Sequence, residues 1–339
     1  MTNRIIHGGG ITAAARQYGG HPEEWLDLST GINPNPVSLP EIPVAAWHRL
    51  PDQHLQERAR EAARGYYRSG DISPLPVPGT QSVIQLLPRL VASGRVAIFS
   101  PTYGEYARAF TLAGLQVRQV STIAELTSDD RLVVAVNPNN PDGRTLSVEQ
   151  LRELHDRQCE HDGILLVDEA FGDVEPAASM APFAAEMPNL IIFRSFGKFF
   201  GLAGLRLGFM IAEASIMTRF EDWLGPWAVS GPALSIAASL MESDTSAIRN
   251  CILQRHVALE GVLRRSKLQV AGGTRLFALV ADDRAEGIYT HLCRHHILVR
   301  KFDYARNWLR FGLAPDEAAD QRLAGALESD DSRSDRPRI

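Results

Sequence analysis

Lys198 is the residue of this sequence with the clearest chemical potential. It ends the run 195–198 and is followed by the glycine-rich run 201–208, which contains Arg206. A lysine that apolar neighbours shield from water can present a nucleophilic amine to a carbonyl carbon. A lysine in an apolar segment more often extends its ammonium group to the surface, so this run alone leaves both interpretations open.

Three other motifs contain residue types that could bind a charged or polar ligand. Asp168 ends an apolar run, where a buried carboxylate requires a partner, either structural or chemical. Asn140 lies in the segment 139–143, which by itself predicts only a turn. The segment 78–81 precedes a predicted helix, and backbone amides at a helix N-terminus can bind phosphate, although many such turns bind nothing.

Alternating strands and helices must position these motifs. Short apolar runs predict buried strands, and the segments between them have the apolar spacing of helices. The predicted strands are 96–100, 132–136, 164–168, 190–194 and 207–212, and the predicted helices are 81–92, 105–113 and 147–159, the last with Ser147 as its N-cap. This alternation predicts an α/β fold with a mostly parallel central sheet. Ligands of such sheets bind beyond the carboxyl ends of the strands, where the motifs fall.

Changes in composition along the chain predict four segments. Residues 1–45 are rich in Gly and Pro, and we expect an extended arm and loop that joins a smaller domain. Residues 46–230 hold the strand–helix alternation and predict a large domain. Residues 231–328 predict a smaller α+β domain, with short strands at 276–280 and 308–311. The polar segment 329–339 is expected to be disordered.

The overall composition narrows the functional classes. The 339 residues are 45% hydrophobic and 22% charged, which is typical of a soluble globular protein. The net charge of −5 predicts no nucleic-acid partner, and no apolar stretch long enough to cross a membrane is found in the sequence. The N-terminus lacks the pattern of a signal peptide. Three widely spaced cysteines predict neither a disulfide framework nor a metal site, which favours a cytoplasmic location.

The order of the motifs resembles that of the fold-type I pyridoxal-phosphate (PLP) enzymes, the aminotransferase class I/II group. The resemblance is strong from about residue 70 to about residue 215 and implies PLP as the cofactor. It implies that Lys198 holds PLP as a Schiff base and later moves the proton at Cα. It also implies that Asp168 pairs with the pyridinium nitrogen, that Asn140 donates to the ring 3′-oxygen and that Tyr103 stacks on the ring.

The same resemblance implies a site for the cofactor phosphate. Its ligands would be Ser195, Arg206 and the backbone amides of Gly79, Thr80 and Gln81. Members of this group are usually homodimers with active sites at the subunit interface. We therefore expect a homodimer in which Tyr66 reaches the cofactor phosphate of the partner, with core packing as the alternative role for Tyr66.

Phe171 departs from the pattern of the family, which usually has a tyrosine three residues after the aspartate. A phenylalanine cannot donate a hydrogen bond to the 3′-oxygen of the cofactor, as that tyrosine does. We therefore expect an enzyme that is tuned away from ordinary transamination.

Two arginines near the C-terminus are candidates for binding the substrate. Arg310, in the segment 308–313, resembles the arginine with which this family binds the substrate carboxylate. Arg300 is a second cation close by in the sequence, and its alternative role is that of a solvated charge on an edge strand.

The N-terminal stretch narrows the resemblance to one subgroup. The run 7–9 (His-Gly-Gly), followed by 27–34, resembles the L-threonine-O-3-phosphate decarboxylases of cobalamin biosynthesis. This implies that His7, Gly8 and Asn33 contact a phosphorylated amino acid, because imidazolium and amide groups donate to phosphate oxygens. The alternative for His7 is a residue of a disordered start.

The resemblance implies a PLP-dependent carboxy-lyase that converts L-threonine O-3-phosphate to (R)-1-amino-2-propanol O-2-phosphate. One alternative is a histidinol-phosphate aminotransferase or a related aminotransferase, although those enzymes generally lack the His-Gly-Gly opening. A second alternative is a PLP-binding protein without catalysis, which the presence of Lys198, Asp168 and Asn140 disfavours.

Overall fold

The computed structural model describes residue 5 and residues 7–329 of the chain. These residues fall into two compact units. The first unit comprises Pro36–Asn140 and Arg144–Ile248, and the second comprises residues 5, 7–35, Pro141–Gly143 and 249–329. The segment 329–339, which we expected to be disordered, lies outside the described residues except for Ser329. Within the described residues, no helix is both long and apolar enough to span a membrane.

Strands and α-helices alternate along most of the described chain. The strands are β1 (Leu26–Asp27), β2 (Leu75–Val77), β3 (Arg95–Phe99), β4 (Gln116–Val120), β5 (Asp130–Val136), β6 (Ile164–Asp168), β7 (Leu190–Ser195), β8 (Gly208–Ile211), β9 (Val270–Thr274), β10 (Phe277–Ala281), β11 (Ile297–Leu298), β12 (Arg300–Phe302) and β13 (Ala305–Gly312). The α-helices are α1 (Ile11–Tyr18), α2 (Ala45–His48), α3 (Gln53–Tyr67), α4 (Thr80–Ile84), α5 (Glu105–Leu112), α6 (Val148–Cys159), α7 (Phe196–Phe199), α8 (Ala214–Leu224), α9 (Gly231–Met241), α10 (Ser246–Arg265), α11 (Ala285–Arg294) and α12 (Glu317–Glu328).

A seven-stranded sheet forms the centre of the first unit, in the order β2-β8-β7-β6-β5-β3-β4. The five strands from β7 to β4 are parallel to one another, and β8 runs antiparallel to both of its neighbours. The sheet therefore confirms the predicted α/β fold with a mostly parallel central sheet.

The inner strands form because their sequences are apolar without interruption. Leu132–Val136 and Leu165–Val167 are buried throughout, as expected for parallel strands that are covered on both faces. Each of the five predicted strands of this sheet is found, with its ends within two residues of the prediction.

The helices of the first unit follow the prediction less uniformly. Ser147 caps α6, because its hydroxyl accepts a hydrogen bond from the amide of Gln150 at 3.3 Å. The predicted helix 81–92 is wrong, since α4 ends at Ile84 and a separate 3₁₀ turn follows at Leu87–Leu90. Pro88 explains the break, because proline has no amide hydrogen to donate to the carbonyl of Ile84.

The second unit contains an antiparallel sheet in the order β12-β13-β10-β9 and a separate parallel pair of β1 with β11. The predicted strands at 276–280 and 308–311 correspond to β10 and to the middle of β13. Residues 7–35 belong to this unit by their contacts.

Residues 11–18 form a packed helix where an extended arm was predicted. Helix α1 occupies Ile11–Tyr18, and its buried residues Ala14 and Ala15 pack in a cluster with Trp25, Cys293 and Leu298. The prediction of an arm and loop without a packed element is therefore wrong for this stretch. The small side chains of α1 are buried only because they meet residues of α11 and β11, which lie far along the chain.

Candidate active site

The carboxyl ends of β5, β6 and β7 meet at one edge of the central sheet of the first unit. In the register of these strands, Asp168 lies beside Val136 on one side and Phe193 on the other. Asn140 follows β5 by four residues, Asp168 ends β6, and Ser195 ends β7 directly before the helix that carries Lys198. The structure therefore brings to one edge of the sheet the strand-end motifs that the sequence spreads over residues 140–198.

Asp168 is buried, with 4% of its surface exposed, and its two oxygens accept separate hydrogen bonds. The hydroxyl of Tyr106 donates to Oδ2 at 2.8 Å, and the amide of Ala170 donates to Oδ1 at 3.0 Å. Burial raises the pKa of the Asp168 carboxyl, while donation from Tyr106 and the charges of Lys198 and Arg194 act in the opposite direction. A cation next to this carboxylate would relieve the cost of its burial.

Tyr106 is the functional residue that the sequence analysis missed. It lies on α5 with none of its surface exposed, and burial raises the pKa of its hydroxyl well above the ordinary value. A buried phenol requires a hydrogen-bond partner. The position of Tyr106 in the sequence, three residues after the predicted site residue Tyr103, could therefore have identified it as a candidate. Which partner it would find depends on the packing of α5 against the sheet.

Tyr103 is held by a short chain of side-chain hydrogen bonds. Its hydroxyl donates to Oε1 of Gln81 at 3.0 Å, and Nε2 of Gln81 donates to Oε2 of Glu105 at 3.1 Å. The Tyr103 ring also lies edge-on to Tyr106, with 6.3 Å between the ring centroids. These contacts fix the plane of the Tyr103 ring, and they give the side chain of Gln81 a role in addition to the predicted role of its amide.

The turn that contains Asn140 is tied to the turn after β3. Nδ2 of Asn139 donates to the carbonyl of Pro101 at 2.8 Å, and the hydroxyl of Thr102 donates to Oδ1 of Asn139 at 2.5 Å. Asn139 is buried, and the half-buried Asn140 follows it. The position of Asn140 is therefore set by its neighbour, and Tyr103 follows Thr102 directly on the other turn.

Lys198 is half-buried in the four-residue helix α7, directly after β7. Its Nζ lies 5.1 Å from the centroid of the Phe171 ring, and its charge acts on Asp168. Phe171 is thus beside the lysine, at the position where the family usually has a phenol. The amine therefore lies near an aromatic ring, and its charge stabilises the ionised form of a buried carboxylate.

Gly79 and Arg206 form a small cradle near the N-terminus of α4. Gly79 has φ +73°, which strains any other residue, and a Cβ atom there would lie 2.7 Å from Nη2 of Arg206, so the end of the arginine would have to shift. Arg206 itself has φ 54°, and its Nη1 donates to the carbonyl of Ala203 at 3.0 Å. Helix α4 packs against β7 and β8. The pairing of these two strands places Ser195 opposite Gly208.

The amide of Gly79 donates to the carbonyl of Val77 at 2.7 Å. Its predicted contact with the cofactor phosphate stays a prediction. Thr80 and Gln81 are the first two residues of α4, and the amides at such positions have no carbonyl partner within the helix. They remain the predicted donors, together with Ser195 and Arg206.

Tyr66 lies in an aromatic cluster of its own unit. Its ring centroid is 5.0 Å from that of Tyr67 and 5.9 Å from that of Phe200. The hydroxyl oxygen of Tyr66 is enclosed by the protein. Its predicted contact with the cofactor phosphate of a partner subunit stays a prediction.

The candidate substrate residues all lie in the second unit, where Arg300 and Arg310 are directly opposite each other on β12 and β13. Arg310 is buried, and its Nη2 donates to the carbonyl of Ser29 at 2.9 Å. Burial and the charge of Arg300 lower the pKa of Arg310 to about 10. Because like charges opposite each other are unfavourable, this pair is suited to an anionic ligand.

Gly8 and Gly9 lie next to Ser29, the residue whose carbonyl oxygen accepts from Arg310. The amide of Gly9 donates to Oγ of Ser29 at 2.7 Å. A side chain on Gly8 would overlap the carbonyl of Ser29, the group that accepts from Arg310. His7 is exposed next to this contact, and the buried Asn33 accepts from the amide of Asn35 at 3.0 Å. The structure thus brings Gly8 and Arg310 to the same carbonyl group, that of Ser29.

Comparison with known proteins agrees with this geometry. The family model for aminotransferase class I and II matches residues 25–327. The chain is 58% identical to a threonine-phosphate decarboxylase of Sinorhizobium sp, over 96% of this chain and 98% of the relative. It is 43% identical to a threonine-phosphate decarboxylase of Pseudomonas aeruginosa, over 95% of this chain and 97% of the relative.

A solved structure shows the same fold at low sequence identity. The histidinol-phosphate aminotransferase of Sinorhizobium meliloti, solved in complex with pyridoxal-5'-phosphate, superposes with a TM-score of 0.75 at 20% identity. The match covers 96% of this chain and 94% of that one. With its central sheet, its strand-end motifs and a family match over most of its length, the chain belongs to the aminotransferase class I and II family.

Proposed function

We propose that this protein is a PLP-dependent decarboxylase that acts on L-threonine O-3-phosphate in cobalamin biosynthesis. The reaction replaces the carboxylate at Cα by a proton and releases CO2, which gives (R)-1-amino-2-propanol O-2-phosphate. The observation that carries the proposal is the 58% identity to a threonine-phosphate decarboxylase over 96% of the chain.

The residues at the edge of the central sheet fit PLP. The cradle of Gly79 and Arg206 is a site that a side chain would fill, and Arg206 and Ser195 supply donors for a phosphate. Asp168 offers a buried carboxylate for a cationic ring nitrogen. Lys198 is the amine that would hold the cofactor, with Asn140 and Tyr103 as ring contacts. When bound, PLP supplies an electron sink for the bond broken at Cα.

The protein's own residues would direct the reaction at Cα. Lys198 would deliver the proton to Cα after CO2 has left, because the amine that holds the cofactor is a titratable group that can act as a general acid at the same carbon. Asp168, held by Tyr106, would keep the proton on the ring nitrogen. Phe171 has no hydroxyl with which to compete for the 3′-oxygen.

Arg310 and Arg300 would bind the anionic groups of the substrate. The planar guanidinium of Arg310 suits the carboxylate, because it can donate two parallel hydrogen bonds. His7, Gly8 and Asn33 would contact the phosphate. These substrate assignments are proposals, supported by the contact of Gly8 and Arg310 with the same residue, Ser29.

The decisive experiment is product identification with the purified protein. Incubation with PLP and L-threonine O-3-phosphate, with no oxoacid added, should release CO2. Mass spectrometry should identify aminopropanol phosphate as the product. Turnover of histidinol phosphate that requires 2-oxoglutarate, with no CO2 released from threonine phosphate, would instead establish the aminotransferase. A parent protein that binds PLP but turns over neither substrate would be a non-catalytic PLP-binding protein. If the parent is active, the Lys198→Ala variant should lose that activity.

We further propose that the protein works as a homodimer in the cytoplasm. The first unit exposes large apolar side chains at Val44, Trp47, Leu50 and Trp227, a pattern that favours association. Helix α2 lies against the start of α9, where Gly231 contacts the backbone of Ala46. All three cysteines lie in the described part of the chain and are free thiols, which is compatible with a reducing compartment. Light scattering during gel filtration would give the mass of the assembly.

A further inference from the structure

A buried cluster of charged side chains lies one residue along the chain from two positions of the active site. Glu169 follows Asp168, and Arg194 precedes Ser195. Nη1 of Arg194 donates to Oε2 of Glu169 at 2.5 Å, and Nη2 donates to Oδ1 of Asp173 at 2.6 Å. At most 2% of each of these three side chains is exposed. We call Glu169, Asp173 and Arg194 the charge triad.

Neighbouring groups hold the charge triad in one arrangement. The hydroxyl of Ser179 donates to Oε2 of Glu169 at 2.6 Å, and the amide of Met180 donates to Oε1 at 2.6 Å. The guanidinium of Arg194 lies over the ring of Tyr67, 4.6 Å from its centroid. The loop after β6 is therefore fastened to the end of β7, and the contacts fix the backbone on which Asp168 lies.

The charge triad has more negative than positive charge. Two carboxylates and one guanidinium give a formal net charge of −1 in the interior. One carboxylate would be enough to neutralise Arg194, and an excess charge in the interior opposes folding. The hydrogen bonds from Ser179 and Met180 to Glu169 offset part of that cost, and a bound cofactor with protonated nitrogens would offset more of it.

We propose that the charge triad positions Asp168 and adds one net negative charge to the active site, which favours the protonated state of the cofactor held by Lys198. The inference rests on the proposed PLP site. Glu169, Asp173 and Arg194 are positioning residues that act through Asp168 and through the electric field at the site.

The absorbance of bound PLP as a function of pH tests this inference without any measurement of turnover. Glu169→Gln and Asp173→Asn each remove one negative charge and leave Arg194 in a neutral pair. Each should lower the pH midpoint of the absorbance change by about 0.5 unit or more, because the proton on the cofactor loses a favourable interaction. Arg194→Gln should raise the midpoint, since it removes a positive charge.

Two further variants separate charge from structure. Arg194→Lys keeps the charge but loses the fork that binds both carboxylates, so it should weaken PLP binding and leave the midpoint within about 0.2 unit of the parent value. Asp130→Asn is the matched control. Asp130 is also buried and lies 2.9 Å from Arg118, but it begins β5, at the opposite edge of the sheet from Asp168. Its substitution should leave the midpoint unchanged.

The outcomes distinguish this inference from the proposed function. If Glu169→Gln and Asp173→Asn bind PLP with the parent midpoint, or if Asp130→Asn moves the midpoint as far as they do, the charge triad serves structure alone and the inference is wrong. The decarboxylase proposal would survive that result. A parent protein that shows no absorbance of bound PLP would overturn both. Should Arg194→Gln fail to fold, the two acid variants still decide the matter.

Discussion

At the scale of single residues, the hydrogen bond from Tyr106 to Asp168 favours the charged form of the carboxylate against the effect of burial. We predict that Tyr106→Phe weakens PLP binding roughly tenfold or more, because a hydrogen bond to a charged group is worth more than one between neutral groups. Titration of the apo-protein with PLP, followed by absorbance, measures the effect. Tyr18→Phe, a change in the second unit, should bind PLP like the parent, and equal affinity in both variants would contradict the assigned role of Tyr106.

The ionised carboxylate of Asp168 should lower the stability of the apo-protein, although the proposed cofactor needs it. Its pKa is raised by burial in the folded protein, so the folded state disfavours its ionisation. The apo-protein should therefore lose stability as the pH rises from the ordinary carboxyl pKa through the raised value, and the loss persists at neutral pH.

We consequently predict that Asp168→Asn makes the apo-protein more stable by roughly 1 kcal/mol at pH 7, while PLP binding falls sharply. Thermal melting of both apo-proteins between pH 4 and pH 8 measures the difference, which should shrink towards the acidic end. A lower melting temperature of the variant across this whole range would count against the argument.

Residue types were easier to predict from the sequence than residue contacts. The order of Asn140, Asp168 and Lys198 along the chain was enough to predict the cofactor. The bond between Tyr106 and Asp168 was not predictable, because it joins residues 62 positions apart whose meeting depends on how α5 packs. The contact between Gly79 and Arg206 was not predictable for the same reason, since Arg206 approaches from a later turn.

At the scale of elements, the turn before α4 needs glycine both for its backbone angle and for its neighbour. We predict that Gly79→Ala raises the dissociation constant of PLP at least tenfold, because the new methyl group would displace Arg206 and strain the turn by roughly 1–3 kcal/mol. Gly65→Ala is a suitable control, since a Cβ on Gly65 of α3 would meet nothing within 4 Å. The control should be as stable as the parent or more so. Equal PLP affinity of the two alanine variants would refute the cradle.

Elements that are apolar over their full length were predictable, and short or small-residue elements were not. The central strands follow directly from runs such as Leu132–Val136. Helix α1 was missed because its buried positions are alanines, which indicate no direction of burial until Trp25 and Cys293 are placed beside them. The helix predicted at 81–92 failed at Pro88, where the apolar spacing continues although the backbone hydrogen bonds cannot.

At the scale of the whole molecule, the proposed dimer makes the exposed apolar residues of the first unit testable. We predict that Trp47→Glu shifts the protein from dimer to monomer, because Trp47 is 65% exposed and a charge would be buried by a second copy. Sedimentation velocity at micromolar concentration measures the change. Leu112→Glu is the control, because Leu112 is 53% exposed at the end of α5, away from α2. A dimer that survives Trp47→Glu would place the interface elsewhere.

Ser29 links Gly9 to Arg310. Its hydroxyl oxygen accepts a hydrogen bond from the amide of Gly9, and its carbonyl oxygen accepts one from the guanidinium of Arg310. A change that displaces Gly8 or Gly9 should therefore disturb Arg310, the proposed anchor for the amino acid, before it disturbs Lys198, the proposed anchor for the coenzyme. A preparation could keep its full yellow colour and still need much more substrate to reach half its maximal rate. A purification tag for this protein should therefore be fused to the C-terminus.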